Sequence, residues 1–253
     1  MLIDTHCHLD FPEFDPDRDE VVRLALGAGI SHIVNIGSSL EGSRRSVELA
    51  RKYDCVYATV GIHPHEADRF EKKHQALIRE LAQKDKVVAI GEIGLDYYKN
   101  YSRAENQRPL FKCLVELAKD LNLPLVIHTR EAQKDTLEIL KNYLPLKVVV
   151  HCFSGDKDFL KECLDLGFFV SFTCNISYKK AESLRDLVSL APLEKLFLET
   201  DAPFLPPEGL RGRRNEPRYV KELAAIIAQL KQVSFEEIAR ITTLGAKVFF
   251  NIK

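Results

Sequence analysis

The stretch of sequence that decides the fold is residues 125–151, LVIHTREAQKDTLEILKNYLPLKVVVH. It begins with the short apolar run Leu125–Ile127 and ends with a second strand-like run, Lys147–Val150, and the residues between the two runs have a helical pattern. Strands that are apolar without alternation are typical of parallel sheets covered on both faces. The stretch therefore predicts a strand–helix–strand unit of a parallel sheet.

The same unit recurs along all 253 residues of the chain. The candidate strands are Leu2–Asp4, His32–Ile36, Val56–Val60, Val87–Ile90, Leu125–Ile127, Lys147–Val150, Phe168–Ser171 and Leu196–Leu198. This series, with helices between the strands, fits an α/β fold of the closed, parallel (βα)8 TIM type, because right-handed crossovers leave few other arrangements. An open, doubly wound sheet is the alternative. Residues 1–253 show no low-complexity linker, and we interpret them as a single barrel domain.

Two apolar stripes and three helix-start patterns support the helices between the strands. The stripes lie in residues 110–121 and 220–230. The start patterns are capping boxes, in which a serine precedes a glutamate by three positions: Ser38 with Glu41, Ser102 with Glu105, and Ser234 with Glu237.

Composition restricts the class of protein. Hydrophobic residues make up 45% and charged residues 29%, and the net charge of −1 gives no case for a polyanionic partner. The sequence has neither a signal peptide nor a run that approaches the roughly 18 apolar residues of a membrane span. We therefore expect a cytoplasmic protein without a membrane partner. The six cysteines lack Cys-x-x-Cys spacing, and we expect them to be reduced.

Polar residues gather where the predicted strands end. Six of the eight histidines lie at or just beyond the carboxyl end of a strand: His6, His8, His63, His65, His128 and His151. Two carboxylates, Glu92 and Asp201, have the same placement. The carboxyl ends of all strands of a βα barrel form one rim, which is where such barrels build active sites.

These residues predict bound metal. Carboxylates crowded at a rim would repel one another or take up protons, and a cation removes that conflict. Side chains alternate along an extended chain, so His6 and His8 share a face while Cys7 points away. Taken one at a time, each histidine is more often an ordinary satisfied polar residue. Taken together, the set exceeds what one catalytic ion takes from protein and favours about two ions bridged by Glu92.

Donor chemistry leaves the identity of the metal open. Imidazole and carboxylate ligands without thiolate suit zinc, manganese or iron, and magnesium through the carboxylates. The cofactors are therefore expected to be two divalent ions, Mg, Mn or Zn.

Five motifs in order along the chain resemble the signatures of the TatD family, metal-dependent deoxyribonucleases of the amidohydrolase superfamily. They are Asp4-Thr5-His6-Cys7-His8-Leu9-Asp10, Gly61-Ile62-His63-Pro64, Gly91-Glu92-Ile93-Gly94-Leu95-Asp96, His151-Cys152-Phe153-Ser154-Gly155 and Glu199-Thr200-Asp201-Ala202-Pro203, and the match continues through Arg214-Asn215-Glu216-Pro217.

The resemblance implies a role for each site residue. One metal ion is held by His6, His8 and Asp201, the second by His128 and His151, and Glu92 bridges the two. His63 and Arg130 match positions that contact a substrate phosphate. Every implied ligand is present in the sequence.

The leading hypothesis is a deoxyribonuclease of exonuclease type, with DNA as the substrate. A metal-activated water attacks the phosphodiester, Asp201 accepts its proton, and Glu92 is the second catalytic residue. The alternative is a D-aminoacyl-tRNA deacylase, or another ester or amide hydrolase on the same metal site, with tRNA as the partner. A non-catalytic binding module ranks last, because it would predict lost ligands. The oligomeric state is not indicated.

Four further residues receive weaker interpretations. Arg211, Arg213 and Arg214 follow the last strand, where they either grip a nucleic-acid backbone or solvate a loop. Asp96 either supports a neighbouring site residue or caps a helix, and the structural role is preferred.

Overall fold

The computed structural model describes residues 1–99 and 101–253. Its strands are β1 Leu2–Cys7, β2 Ile30–Ile36, β3 Val56–Val60, β4 Val87–Asp96, β5 Leu125–Arg130, β6 Val148–Val150, β7 Phe169–Phe172 and β8 Leu196–Leu198. Its α-helices are α1 Arg18–Gly27, α2 Leu40–Lys52, α3 Lys72–Ala82, α4 Ala104–Leu121, α5 Gln133–Lys141, α6 Lys157–Asp165, α7 Glu182–Leu190, α8 Val220–Lys231 and α9 Phe235–Phe250. Within the described residues, none of these helices combines the length and hydropathy needed to cross a membrane.

The predicted fold class is confirmed. The strands follow one another in the sheet in the order β1 to β8. The last strand returns to the first, because Cys7 forms a parallel bridge with Ala202 just beyond β8, and the His8 N–H donates to the Ala202 carbonyl at 2.7 Å. The chain is an α/β barrel of eight parallel strands rather than an open sheet.

The chain divides into two compact units. The first unit comprises Met1–Asn35 and Cys152–Lys253. In it β1 pairs with β2, and β7 pairs with β8, both in parallel. The predicted stripe of α8 is buried, since Leu223, Ala224 and Ile227 are all 0% exposed. Burial of these side chains against the strands supplies the main stabilising term of this unit.

The second unit comprises Ile36–His151 and carries β3 to β6. Parallel pairing runs from β3 to β4, from β4 to β5 and from β5 to β6. The long helix α4 covers this sheet with its apolar stripe, of which Phe111, Leu114 and Leu117 are 0% exposed. The single-domain interpretation of residues 1–253 stays a prediction.

Four strands are longer than predicted, β2 at its start, from Ile30, and three others at their carboxyl ends, where the difference matters for the site. β1 continues to Cys7, β4 to Asp96 and β5 to Arg130. The prediction ended each strand at its first polar residue. Parallel pairing continues beyond those points, for example between Gly94 and His128 and between Asp96 and Arg130. His6, Glu92 and His128 therefore lie within strands rather than after them, and their backbones are held by the sheet.

Only one of the three predicted capping patterns is present as predicted. Ser234 accepts a hydrogen bond from the Glu237 N–H at the start of α9. The cap of α2 is Ser39, not Ser38. At α4 the cap position is Arg103, since the Ser102 hydroxyl donates to the His65 carbonyl instead. Neighbouring serines and tertiary hydrogen bonds compete with the local pattern.

Candidate metal centres

In the second unit, three imidazoles converge on one carboxylate oxygen of Glu92. Glu92 Oε1 lies 2.7 Å from His151 Nε2, 2.9 Å from His128 Nδ1 and 3.5 Å from His63 Nε2. The Glu92 side chain is buried at the centre of this group. Ligand atoms of His63, Glu92 and His128 all lie within 4.8 Å of one another, a spacing that a metal ion can span. Imidazole with carboxylate is a donor set that fits a divalent transition metal.

Asp96 orients His128. Its Oδ2 lies 3.1 Å from His128 Nε2 and 2.8 Å from His65 Nε2. His128 therefore presents Nδ1 towards Glu92 while its other nitrogen is engaged by a carboxylate, the usual arrangement around a metal-binding histidine. Asp96 Oδ1 also accepts hydrogen bonds from the N–H groups of Tyr98 and Lys99, so the expected structural role is only half of what this residue does.

The charges of this cluster are set by burial and by mutual contact. Burial opposes ionisation of Glu92, but the nearby His151 and His63 hold the pKa of its carboxyl well below the usual range. For Asp96, burial is likewise outweighed by hydrogen bonds from His128 and His65, and its pKa is lowered. Burial tends to lower the pKa of His128, yet its hydrogen bonds to Asp96 and Glu92 raise it. Both carboxylates are therefore negative at neutral pH.

The tautomer of His63 is fixed by its contacts. Burial lowers the pKa of His63 to about 4, so the ring is neutral at pH 7. Its Nδ1 accepts a hydrogen bond from the His65 N–H at 3.2 Å, so the ring proton must lie on Nε2. Nε2 faces Glu92, and a protonated ring nitrogen is a donor rather than a metal ligand. This geometry favours His63 as a hydrogen-bond donor.

Gly94 permits the close contact between β4 and β5 at this cluster. Its φ is +141°, and a Cβ there would lie 1.9 Å from the carbonyl oxygen of His128. Any side chain would push His128 away from Glu92 and Asp96. Glycine is therefore required for the geometry of the cluster.

Arg130 stands at the end of β5 with its side chain exposed. Its guanidinium lies 3.9 Å from the centre of the Tyr98 ring, a cation–π contact that holds the side chain in place. Tyr98 is itself 53% exposed rather than packed in a core. The guanidinium is thus held on an aromatic surface with its donors available to an anion.

In the first unit, His6, His8 and Asp201 come together as predicted. The Nε2 atoms of His6 and His8 are 3.3 Å apart, and Asp201 Oδ1 lies 3.6 and 3.5 Å from them. Cys7 points the other way, with its Sγ 3.9 Å from the Val34 carbonyl, so the predicted alternation is confirmed. Two imidazole nitrogens and a carboxylate oxygen facing one point are a donor set that fits a divalent cation.

Buried hydrogen bonds fix the backbone that carries these three residues. Asp4 accepts bonds from the Thr200 N–H and hydroxyl at 3.0 and 2.6 Å, and from the His6 N–H at 3.3 Å. Burial raises the pKa of Asp4 well above the usual range, although the Thr200 bonds oppose this shift. Asp201 adopts a φ of 56°, and its N–H donates to the His6 carbonyl at 2.9 Å. The β1 and β8 ends are thereby locked together.

Asn215 holds the segment that follows Asp201. Its side-chain nitrogen donates to the carbonyls of Thr200 at 2.9 Å, Phe204 at 2.7 Å and Leu205 at 3.2 Å. Asn215 is fully buried. A single amide therefore fixes the backbone of residues 200–205.

The arginines after β8 are mostly engaged within the protein. Arg214 forms a two-pronged ion pair with Asp17 at 2.7 and 2.8 Å and also contacts Glu216 at 3.1 Å. The guanidinium of Arg211 lies 4.7 Å from the centre of the Tyr178 ring. For Arg214, the interpretation as a loop-stabilising charge is favoured over a nucleic-acid contact.

The sequence reasoning gave too small a role to Asp96 and missed other residues that shape the site. Asp96 shares a strand face with Glu92, because they are four positions apart in β4, and that alternation could have identified it. His65 follows His63 at the same two-residue spacing as His6 and His8, and this spacing was a signal for a role of His65 in the site. Asp4 and Asn215 offered no such signal, since their roles depend on partners more than ten residues away.

Comparisons with known proteins agree with this architecture. A structure of YjjV, a TatD homologue from Escherichia coli, superimposes with a TM-score of 0.95 at 32% identity, covering 100% of this chain and 98% of that one. YabD of Bacillus subtilis, described as an uncharacterized metal-dependent hydrolase, is 41% identical over the full length of both chains. A protein of Erwinia tasmaniensis named 3'-5' ssDNA/RNA exonuclease TatD is 38% identical, covering 99% of this chain and 100% of its own.

The barrel and its buried histidine–carboxylate clusters define a metal-dependent hydrolase. The model of the TatD-related DNase family matches residues 3–251, and the chain belongs to this family.

Proposed function

We propose that this protein is a divalent-metal-dependent exonuclease that hydrolyses phosphodiester bonds of single-stranded nucleic acid, with DNA as its main substrate. The observation that carries the proposal is the convergence of His63, His128 and His151 on one oxygen of the ionised Glu92. The whole-length similarity to a relative named as a 3'-5' exonuclease supports the choice of substrate.

About two divalent ions are proposed as cofactors, Mg, Mn or Zn. His6, His8 and Asp201 would hold one, His128 and His151 the other, with Glu92 as the bridging ligand that the family resemblance implies. When bound, such ions lower the pKa of a water towards neutrality and polarise the phosphoryl oxygen. The donor types support this assignment, as do the short distances from Asp201 Oδ1 to the Nε2 atoms of His6 and His8, 3.6 and 3.5 Å, and from Glu92 Oε1 to the ring nitrogens of His128 and His151, 2.9 and 2.7 Å.

The chain's own residues would complete the reaction. The Asp201 carboxylate is only partly buried, so it can accept the proton of the attacking water. The Nε2–H of the neutral His63 can donate to a phosphate oxygen on which negative charge develops. Arg130, held on Tyr98, can bind a non-bridging phosphate oxygen through two parallel hydrogen bonds.

The reaction is tested with 5'-labelled single-stranded and duplex DNA, and with RNA, in magnesium, manganese and zinc. We expect metal-dependent shortening of single-stranded DNA from the 3' end, seen as a ladder of labelled products. A companion assay uses D-aminoacyl-tRNA, because the same centre could attack an acyl carbonyl. Release of the amino acid without any shortening of DNA would replace the nuclease proposal by a deacylase.

The His63→Ala variant is expected to lose about 100-fold in kcat, since removing one donor to a developing oxyanion costs that much. Its metal content is expected to equal that of the wild type, because Nε2 carries the proton. Steady-state kinetics on DNA and elemental analysis of both proteins provide the measurement. His74→Ala is the control, since His74 bonds only to Glu71 at the start of α3. Loss of metal in His63→Ala would make His63 a ligand instead.

A further inference from the structure

Phe204 is an exposed aromatic residue beside the metal-binding residues of the first unit. It retains 48% of its accessible surface, although most of the other phenylalanines are buried. Its ring centre lies 6.3 Å from that of His8 and 5.9 Å from that of Phe11, with near-perpendicular planes. Phe11 in turn stacks on His8 at 4.7 Å with an interplanar angle of 27°. The three rings form one aromatic cluster, residues 8, 11 and 204.

Phe204 is held rigidly, unlike a typical exposed side chain on a loop. The Phe204 N–H donates to the Asp201 carbonyl at 2.8 Å, and its own carbonyl accepts from Asn215 at 2.7 Å. The next residue, Leu205, has a φ of 51° and is also bonded to Asn215. Single exposed apolar residues are common on protein surfaces and need no explanation. Phe204 is different, because the buried Asn215 side chain fixes its backbone and its ring lies beside His8. This arrangement suits a ligand-binding residue.

We propose that Phe204, supported by Phe11, stacks on a nucleobase of the substrate next to the metal ion that His6, His8 and Asp201 would hold. This inference rests on the proposed nuclease function. Base stacking on an aromatic side chain is the usual way to bind single strands without sequence preference, because every base has a π-face. A base is the occupant that fits, because the Phe204 ring centre lies 6.3 Å from that of His8 and the base is the flat apolar part of a nucleotide bound beside that residue.

The test compares two single-stranded oligonucleotides that differ only in the last two 3' nucleotides, which carry either normal bases or abasic sugars. KM and kcat are measured on both for the wild type, Phe204→Ala, Phe204→Leu and Phe204→Trp. On the normal substrate we expect KM to rise about tenfold or more in the alanine and leucine variants, with tryptophan near the wild type. On the abasic substrate all four proteins should agree within about twofold.

Leu244→Ala is the matched control, because Leu244 is an exposed apolar residue of α9 at 58% exposure. It should behave as the wild type on both substrates. Equal loss by Phe204→Ala on normal and abasic DNA would overturn the stacking role, as it would mean that Phe204 only supports His8. Wild-type behaviour of Phe204→Leu would also overturn it, because leucine has no ring. Failure of the nuclease proposal is distinct, since the wild type would then cleave neither substrate.

Discussion

The Glu92→Gln variant is expected to lose metal and more than about 100-fold in kcat/KM together. Glu92 is ionised, and its Oε1 lies 2.9 and 2.7 Å from ring nitrogens of His128 and His151. Glutamine keeps the shape but removes the charge, so the cluster loses its attraction for a cation. Losing an outer-shell partner already costs 10- to 100-fold in affinity or activity, and a direct ligand should cost more.

The decisive measurement is the metal content per chain. Each protein is titrated with Mn or Zn, loosely bound ions are removed, and the remaining metal is measured by elemental analysis. The wild type should hold about two ions per chain and the variant fewer. Glu116→Gln is a matched control, because its carboxylate is exposed and accepts a hydrogen bond from the Tyr143 hydroxyl on a helix surface. Normal metal content with normal activity in Glu92→Gln would exclude Glu92 as a ligand. A wild type that never binds more than trace metal would remove the metal-centre hypothesis itself.

The Asp201→Asn variant is expected to retain its fold but lose roughly 100- to 10,000-fold in kcat, the usual contribution of a general base. An amide cannot accept the proton of the attacking water, and it offers less charge to a cation beside His6 and His8. The backbone around residue 201 stays in place, because the His6 carbonyl and Asn215 bind main-chain groups.

Circular dichroism and a metal titration should accompany the kinetics on labelled single-stranded DNA. Asp165→Asn is the control, since Asp165 is exposed and pairs only with Lys161 one helical turn away. DNA cleavage that is equal in the wild type and in Asp201→Asn would show that a contaminating nuclease is responsible, and the proposed function would then fail.

The sheet was largely predictable because its signal is local. Apolar runs marked all eight strands, and β3 and β8 have the predicted bounds. The ends of β4 and β5 were not predictable, because Glu92 and His128 look like loop residues until pairing between neighbouring strands is known. A polar residue inside a strand is stabilised there by tertiary partners that periodicity does not show.

Part of the candidate site was predictable from two local features, the alternation of side chains along a strand and the position of residues at strand carboxyl ends. His6 and His8 share a face, and Asp201 meets them, as expected from the closure of β8 on β1. The tautomer of His63 depends on the N–H of His65, and the exposure of Phe204 depends on the path of a loop that Asn215 holds. These two features depend on tertiary contacts, which the spacing of residues along the sequence does not reveal.

The amide of Asn215 also has a thermodynamic consequence for binding. A loop that is free in solution loses conformational entropy when a ligand orders it, and that loss subtracts from the affinity. Residues 200–205 have already lost this freedom on folding, because three of their carbonyls are bound to one buried side chain. If a nucleotide binds at Phe204 and Asp201 as proposed, little conformational entropy is lost in ordering the loop, so the contacts contribute almost fully to the binding free energy.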